Sequence, residues 1–578
     1  MPPNGMNSYR PPVMGLNHVI SSGNFYASMA GYQMLEAGGN AVDAGVASGI
    51  AINVTQPHFT SFGGVAPIIV YIAERDEMVS ISGLGRWPEA ADLKEFKSNY
   101  GEIPDGILRS VVPAACDAWL TALELYGTMT FEQVVLPAMR LASEGFPMSA
   151  KLCQSLNNMA AAPQKWEYNF SVMAPTGLPV KPSQPLVQKD LAGVFWEMIE
   201  VERANSWRGR NAAIRAARDH FYKGAIAEKM VAFSQSQGGL LSLEDFAKFN
   251  VGIEKPESGQ YGDYSIYTCG FWCQGPSLIE ILNILEGFDL QKMGLNSTDY
   301  IHVLTESIKL AFSDRHYHYG DPEFADVPAE GILSKSYADE RRNMIDLVKA
   351  FNGMPSMGNP WPHQGIMREP LHVTPPEAKF GPGGPDTSYT CVVDKWGNAF
   401  SATPSDGIWG SPLVPGLGMI ISNRGSQSWL EEDHPSRLEP FKRPRLTPNP
   451  SMAFKNGRLY MPFGTPGGDF QVQGMVQMFL NMVEFGMDTQ QAVEEARVGS
   501  LSFPNSFWPH SYLPGSLQIE GRISSEVIGQ LEDRGHKVER IADWGNRSPG
   551  LCGVMVDHEI GTLIGGADPR LDSFALGR

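Results

Sequence analysis

Thr387 is the residue of this 578-residue chain best placed for chemistry. A Pro/Gly-rich stretch, Phe380-Gly-Pro-Gly-Gly-Pro-Asp386, ends directly before it, and a strand-like run, Thr387-Ser-Tyr-Thr-Cys-Val-Val-Asp394, begins with it. A loose lead followed by a Thr at the first position of a buried strand suits a chain that cuts itself at Asp386–Thr387. The cut would give Thr387 a free amine beside its own hydroxyl, so one residue would carry nucleophile and base together. A lone Thr at a strand start is otherwise a β-branched residue in a favourable place. A second stretch raises the chemical reading: Gly464-Thr-Pro-Gly-Gly-Asp469 lies between a strand-like run and an apolar helix beginning near Phe470. There the N–H groups of Gly467 and Gly468 could point at a developing oxyanion, aided by the helix N-terminus. The plain alternative for that loop is a tight turn. It lacks the Lys-Ser/Thr of a phosphate-binding loop, so no nucleotide cofactor is expected.

The elements that must hold these residues follow from periodicity. Residues 23–55 read as two helices broken by Gly38-Gly39-Asn40, the second rich in small residues and so suited to close packing on a sheet. Strands are expected at 66–72, 78–82, 389–393, 399–402, 418–422, 452–454, 459–463, 517–519, 538–541 and 554–556. Residues 114–145 and 190–250 read as mostly helical, with further helices at 300–315, 470–485 and 525–534. From about 350 to 386 no helix or strand pattern survives, which reads as a flexible connection before the cut. Helices, then strands, then helices around shared sheets predict a layered α/β sandwich.

The length would by default hold two or more domains. Hydrophobic residues at 42% and charged ones at 19% fit an ordinary soluble enzyme. A net charge of −18 argues against nucleic acid as a partner, because phosphates demand a basic surface. No membrane-length apolar run and no secretory leader stand out, so a cytoplasmic chain is expected. Six scattered cysteines suit reduced core thiols. Cys269 and Cys273 lack a second pair or a nearby His, and His316 and His318 diverge at a helix end toward solvated or capping roles, so no metal is expected. Asp314 and Arg315 read as a structural ion pair, and Cys391 as a core residue. No G-x-S-x-G elbow is present.

The chain resembles the γ-glutamyltransferase family of N-terminal-nucleophile hydrolases along nearly its whole length. The resemblance rests on Ala37-Gly-Gly-Asn-Ala-Val-Asp-Ala44, Gln56-Pro-His58 with Gly63-Gly64, Asp386-Thr387 through Asp394-x-x-Gly397-Asn398-Ala399, Lys442-Arg-Pro444 and Gly464-Thr-Pro-Gly-Gly468. It implies a four-layer αββα sandwich and self-cleavage before Thr387 into a large segment, 1–386, and a small one, 387–578, intertwined as one domain. It also implies amide chemistry on a small molecule through an acyl-enzyme on Thr387, and it is compatible with a homodimer. By the same resemblance Gly467 and Gly468 match oxyanion-hole glycines, Ser405 a hydroxyl that supports the nucleophile, and Thr403 a neighbour on the same strand. Thr447 matches the second of two substrate-binding serines, with Leu446 in place of the first.

The substrate-reading positions depart from the family. Where γ-glutamyl transferases carry an Arg for the substrate α-carboxylate, this chain has Leu84, with Arg86 two residues on. Where they carry an acid for the α-ammonium group, it has Gln427, which cannot supply the same charge. Arg424 stands where the family commonly has Gln. Loss of the anionic partner and gain of a cation point to an acyl group with a carboxylate and without an amine, as in oxamate hydrolases and dicarboxylic-acyl acylases. The alternatives are surface pairing of Arg424 and Arg445 with Glu431, Glu432 or Asp433, a true γ-glutamyl transferase using Arg86, and an uncleaved binding homologue.

Overall fold

In a computed structural model the chain is described for residues 8–161, 166–368, 377–378, 386–545 and 550–578. Two seven-stranded sheets face one another. One runs in the order 574–577, 19–22, 390–393, 399–402, 68–72, 77–81, 253–254. The other runs 13–15, 562–567, 552–557, 458–464, 451–455, 264–268, 257–261. Three apolar cores separate four layers. Val19, Ile69, Tyr389, Cys391, Met452, Cys552 and Val554 fill the space between the sheets. The helices Phe25–Glu36 and Ala41–Thr55 cover the first sheet with Ile50, Val46 and Trp119 in the core. The helices Pro276–Leu285 and Phe470–Val483 cover the second. The expected αββα sandwich is therefore the fold.

The small-residue helix packs as its composition demands. A Cβ on Gly45 would lie 2.1 Å from the Phe400 ring, and Ser48 Oγ meets Thr390 Oγ1 at 2.9 Å across the helix–sheet contact. The Asn40-Ala-Val-Asp43 turn has a structural purpose. Asn40 caps the helix by accepting from Val42 N and Asp43 N, and Asp43 closes the capping box on Asn40 N. The same buried carboxylate accepts from Thr128 N, Thr128 Oγ1 and Met129 N at 2.7–2.9 Å, fixing the turn between the next two helices.

Four expectations change. Residues 418–422 form no strand; only an isolated bridge joins Leu413 to Ile420, and the run is buried as a loop. Asp314 and Arg315 do not pair with each other: Asp314 pairs with Arg341 at 2.9 Å and Arg315 with Asp469 at 2.5 Å. His316 and His318 are buried rather than solvated, and burial holds both imidazoles below the usual histidine range. The described part of the 350–386 lead is strapped down. One side of the helix Thr298–His318 takes its backbone through Glu306 and Lys309 to Phe351, Ser313 to Pro355 O, and Asp314 and His318 to Gly358, with His302 holding Asp346 O just before the lead. The rest of that lead, 369–376 and 379–385, lies outside the described residues. Among the described residues no helix is long and apolar enough to cross a membrane, and no cluster of three or more acidic, His or Cys groups could hold a metal.

Replacing Asp43 by Ala removes the acceptor of four donors, of which Asn40 N and Met129 N are buried and each cost about 1–3 kcal/mol when left unpaired. We expect Asp43→Ala to lower stability by at least about 2 kcal/mol, read as a several-degree fall in melting temperature. A melting curve that overlays the parent would contradict this reading of the turn.

Candidate active site

Thr387 lies three residues before the strand Thr390–Val393, which does not begin with it as expected; the strand is an inner one held between Val19–Ser22 and Ala399–Ala402. An isolated bridge pairs Thr387 with Ser405, and Ser388 N donates to Pro404 O at 2.9 Å. These ties bring Thr387 Oγ1 to 2.9 Å from Ser405 Oγ. Ser405 Oγ lies 2.5 Å from Asp386 O, the carbonyl oxygen of the Asp386–Thr387 bond, and 2.7 Å from Arg424 Nη2. The direction of each bond is forced. Arginine can only donate and a carbonyl can only accept, so Ser405 gives its one proton to Asp386 O. Its remaining lone pair then faces the Thr387 hydroxyl, which donates.

The carbonyl of Asp386 has a second donor, Asp406 N at 3.2 Å. Asp406 is a non-glycine residue with φ of 91°, a strained conformation that persists where the surroundings enforce it. Its carboxylate is held by Ser422 Oγ and Asn423 N. Together Ser405 Oγ and Asp406 N form a two-donor cradle around one carbonyl oxygen, the arrangement that stabilises a developing oxyanion. Arg424 spans the acids behind it: Nη2 bonds Asp386 Oδ2 at 2.6 Å, and Nε lies 3.7 Å from Asp406 Oδ1. Burial raises the Asp386 carboxyl to about 7; Arg424 opposes the shift and Asp406 adds to it.

A second network holds the glycine loop. Gly467 and Gly468 have φ of 122° and 56°, the region that favours glycine. Among the described residues no acceptor takes the N–H of either. Gln274 Nε2 bonds both Gly468 O and Thr447 O at 2.8 Å, and Gln427 Nε2 bonds Thr447 Oγ1 at 2.9 Å. Asp469 anchors the loop to Arg315 and to Ser506 N and Oγ. Phe507 joins the two networks: it would touch a Cβ on Gly468, and its ring lies 5.3 Å from the Arg424 guanidinium.

The expected site residues Thr387, Thr403, Ser405, Arg424, Gln427 and Thr447 are all fully buried in the uncut chain. Thr403 Oγ1 has no hydrogen-bond partner among the described residues. Arg424 is thus not a surface arginine, and neither is Arg445, which donates to Arg315 O and lies over the Trp429 ring. Arg86 is engaged elsewhere, with both its Nη atoms 2.9 Å from the Glu323 carboxylate. Leu84 and Leu446 share the inter-sheet apolar core with Trp272 and Tyr389. Sequence reading missed Asp406, Gln274 and Phe507 as parts of the site. Only Asp406 carried a local signal, standing next to Ser405.

An amide carbonyl gripped beside a Thr hydroxyl at the head of an inner strand, within an αββα sandwich, defines an N-terminal-nucleophile hydrolase. The chain belongs to the gamma-glutamyltranspeptidase family, whose model matches residues 27–577. It is similar to the glutathione hydrolase-like YwrD proenzyme of Bacillus subtilis, at 32% identity over 98% of this chain and 99% of the relative. It is also similar to the acylase ACY 1 proenzyme of Pseudomonas sp. strain SE83, at 29% identity over 97% and 93%. The crystal structure of cephalosporin acylase from Bacillus halodurans superposes with a TM-score of 0.84 at 26% identity, covering 100% of this chain and 98% of that one.

The raised Asp386 carboxyl makes the uncut chain pH-sensitive. The folded chain keeps that proton up to about pH 7, whereas an unfolded aspartate releases it near 4. The stability it contributes is therefore present at low pH and fades as pH rises through about 7. With Thr387→Ala keeping the chain whole, the melting temperature should fall more steeply between about pH 4 and 7 than in a Thr387→Ala/Asp386→Asn chain, and in parallel above that. Parallel curves would show that Asp386 does not titrate there.

Proposed function

We propose that this chain is a threonine-dependent amidohydrolase that matures by cutting its own Asp386–Thr387 bond. Its substrate is a small amide whose acyl group bears a carboxylate. The observation that carries this reading is the hydrogen-bond set around Ser405, which aligns the Thr387 hydroxyl, the Asp386 carbonyl and the Arg424 guanidinium.

In maturation, Thr387 Oγ attacks the Asp386 carbonyl carbon. Its proton passes to Ser405 Oγ while Ser405 gives its own to the former carbonyl oxygen. Collapse breaks the C–N bond, the nitrogen takes a proton back, and an Asp386 ester on Thr387 remains beside a free amine. Water then hydrolyses the ester, leaving an Asp386 carboxyl and a Thr387 hydroxyl. The two segments stay together because their strands alternate within both sheets: 390–393 of the small segment lies between 19–22 of the large one and 399–402, which itself pairs with 68–72.

In turnover the freed amine, with a reference value near 8, takes the proton of Thr387 Oγ as it attacks the substrate carbonyl. The N–H groups of Gly467 and Gly468 receive the oxyanion. The leaving amine or ammonia departs, and water releases the acid. The carboxylate preference is supported by what stands at the reading positions: apolar Leu84 and Leu446, neutral Gln427, an Arg86 already paired, and Arg424 beside the nucleophile. The setting we propose is cytoplasmic. A second reading, γ-glutamyl transfer, is favoured by the glutathione hydrolase names of several relatives.

Purified parent protein should run as two chains, and Thr387→Ala as one chain near 63 kDa without amidase activity. Splitting of Thr387→Ala at 386/387 would exclude self-cleavage by this hydroxyl. Intact-mass measurement with a panel of dicarboxylic monoamides should show an acyl group on the 387–578 chain. Turnover of a γ-glutamyl anilide, accelerated by a dipeptide, with no reaction on any monoamide would favour the second reading.

A further inference from the structure

Asp386 presents more than a cleavable bond. Its carbonyl faces Thr387 and the cradle of Ser405 Oγ and Asp406 N, while its own side-chain carboxylate reaches Arg424. Two carbons, Cα and Cβ, separate that carbonyl from that carboxylate. The uncut chain therefore offers its nucleophile a four-carbon dicarboxylic acyl group, with the carbonyl at Thr387 and the carboxylate on a buried arginine. One guanidinium nitrogen, Arg424 Nη2, serves both the carboxylate and Ser405. Thr387 Oγ1 and Arg424 Nη2 are thus no farther apart than their two contacts with Ser405 laid end to end. That span leaves room for a short acyl chain and would force a longer one to fold.

We propose that Asp386 is a built-in substrate, its carboxylate holding Arg424 until the cut, and that the vacated place then takes the carboxylate of four-carbon (succinyl or aspartyl) amides in preference to five-carbon ones. The second half rests on the amidohydrolase reading above; the first half does not. Before the cut the Asp386 carboxyl group, bonded to Arg424 Nη2 and ionised as pH rises above about 7, fixes the Asp386 carbonyl against Ser405 and occupies Arg424. Once the bond is broken, as written above, Asp386 becomes a chain end that can leave. Its departure removes one of the two acids facing Arg424. Asp406 remains, 3.7 Å from Nε, with its oxygens already bonded to Ser422 and Asn423. Arg424 Nη1, which has no hydrogen-bond partner among the described residues of the uncut chain, adds a further donor for an incoming carboxylate.

Two experiments separate the halves. The first follows maturation of Asp386→Ala by denaturing electrophoresis. We expect cleavage at least tenfold slower than in the parent, recovered to within a few-fold by acetate or formate and not by chloride at equal ionic strength. Parent-rate cleavage of Asp386→Ala would overturn the proposal, as would slow cleavage deaf to carboxylates in a protein with the parent melting temperature. If Asp386→Ala melts low, the near-isosteric Asp386→Asn decides: slow maturation at the parent melting temperature supports the ion pair, and parent-rate maturation overturns it. The second measures kcat/KM of the matured parent on oxamate, malonamate, succinamate and glutaramate. A maximum at succinamate, at least fivefold above glutaramate, is expected; a maximum elsewhere overturns the spacing. Carboxylate rescue combined with no turnover of any of the four would leave the ion pair standing and remove the amidohydrolase reading instead.

Discussion

The site depends on one hydroxyl having a single proton. Ser405 Oγ meets three groups at hydrogen-bond distance, a carbonyl, a guanidinium and another hydroxyl. Two of the three have no choice of role, so the third has none either, and Thr387 must donate. All of this happens in a fully buried place, where a bond of the wrong polarity would leave a donor or acceptor unpaired at a cost of about 1–3 kcal/mol. The order that makes Thr387 ready to lose its proton is thus enforced by donor and acceptor capacity, and the Asp386 carbonyl, by taking the one proton of Ser405, is what breaks the symmetry between the two hydroxyls.

Holding that order requires elements far apart in the sequence. The glycine loop of the small segment is anchored through Asp469 to Arg315 on a helix of the large segment, and through Gly468 O to Gln274 at the start of another. Arg315 and Gln274 are themselves bonded at 2.9 Å, so the loop hangs from a pair of residues fixed in the second sheet's helical cover. Thr387 belongs to the first sheet. The opposed sheets therefore carry the two halves of the chemistry we propose, Thr387 on one and the glycine loop on the other, and the apolar layer of Tyr389, Cys391, Met452 and Phe454 sets their separation.

What the sequence revealed follows from how local each feature is. The helices 25–36 and 41–55, the strand at 390–393 and the loop at 464–469 are coded by residues within a few positions, and each stands where periodicity and glycines put it. Arginine partners are not local. Arg315 sits beside Asp314 in the chain, yet a helix points neighbouring side chains in different directions, so each finds a partner on another element. The run at 418–422 has strand composition, but its burial comes from packing of a loop and carries no ladder. The Pro/Gly-rich lead looked free because composition reports only on backbone preference. It does not show that a helix 40 residues earlier presents Glu306, Lys309, Ser313 and His318 along one side to take up the lead's carbonyls and N–H groups. Of the proposed site, the chain itself singled out Thr387 and the two glycines, the resemblance singled out Ser405, and the structure places Ser405 Oγ 2.9 Å from Thr387 Oγ1. Asp406 needed the strained turn that aims its N–H, and Phe507 needed the tertiary contact.

Charge then connects maturation to recognition. A fully buried arginine needs anionic or polar compensation, because desolvating a charge without a partner is expensive. In the uncut chain Arg424 has Asp386 at ion-pair distance and Asp406 farther off, with Nε and Nη1 making no hydrogen bond among the described residues. In the maturation we propose, breaking the Asp386–Thr387 bond loosens the nearer acid and frees the amine that turnover requires. One covalent event would thereby supply the base and uncover the cation. The chain does not need a separate device to keep a carboxylate-binding pocket closed before its nucleophile is competent, since the group that closes it is the acyl part of the bond being cut.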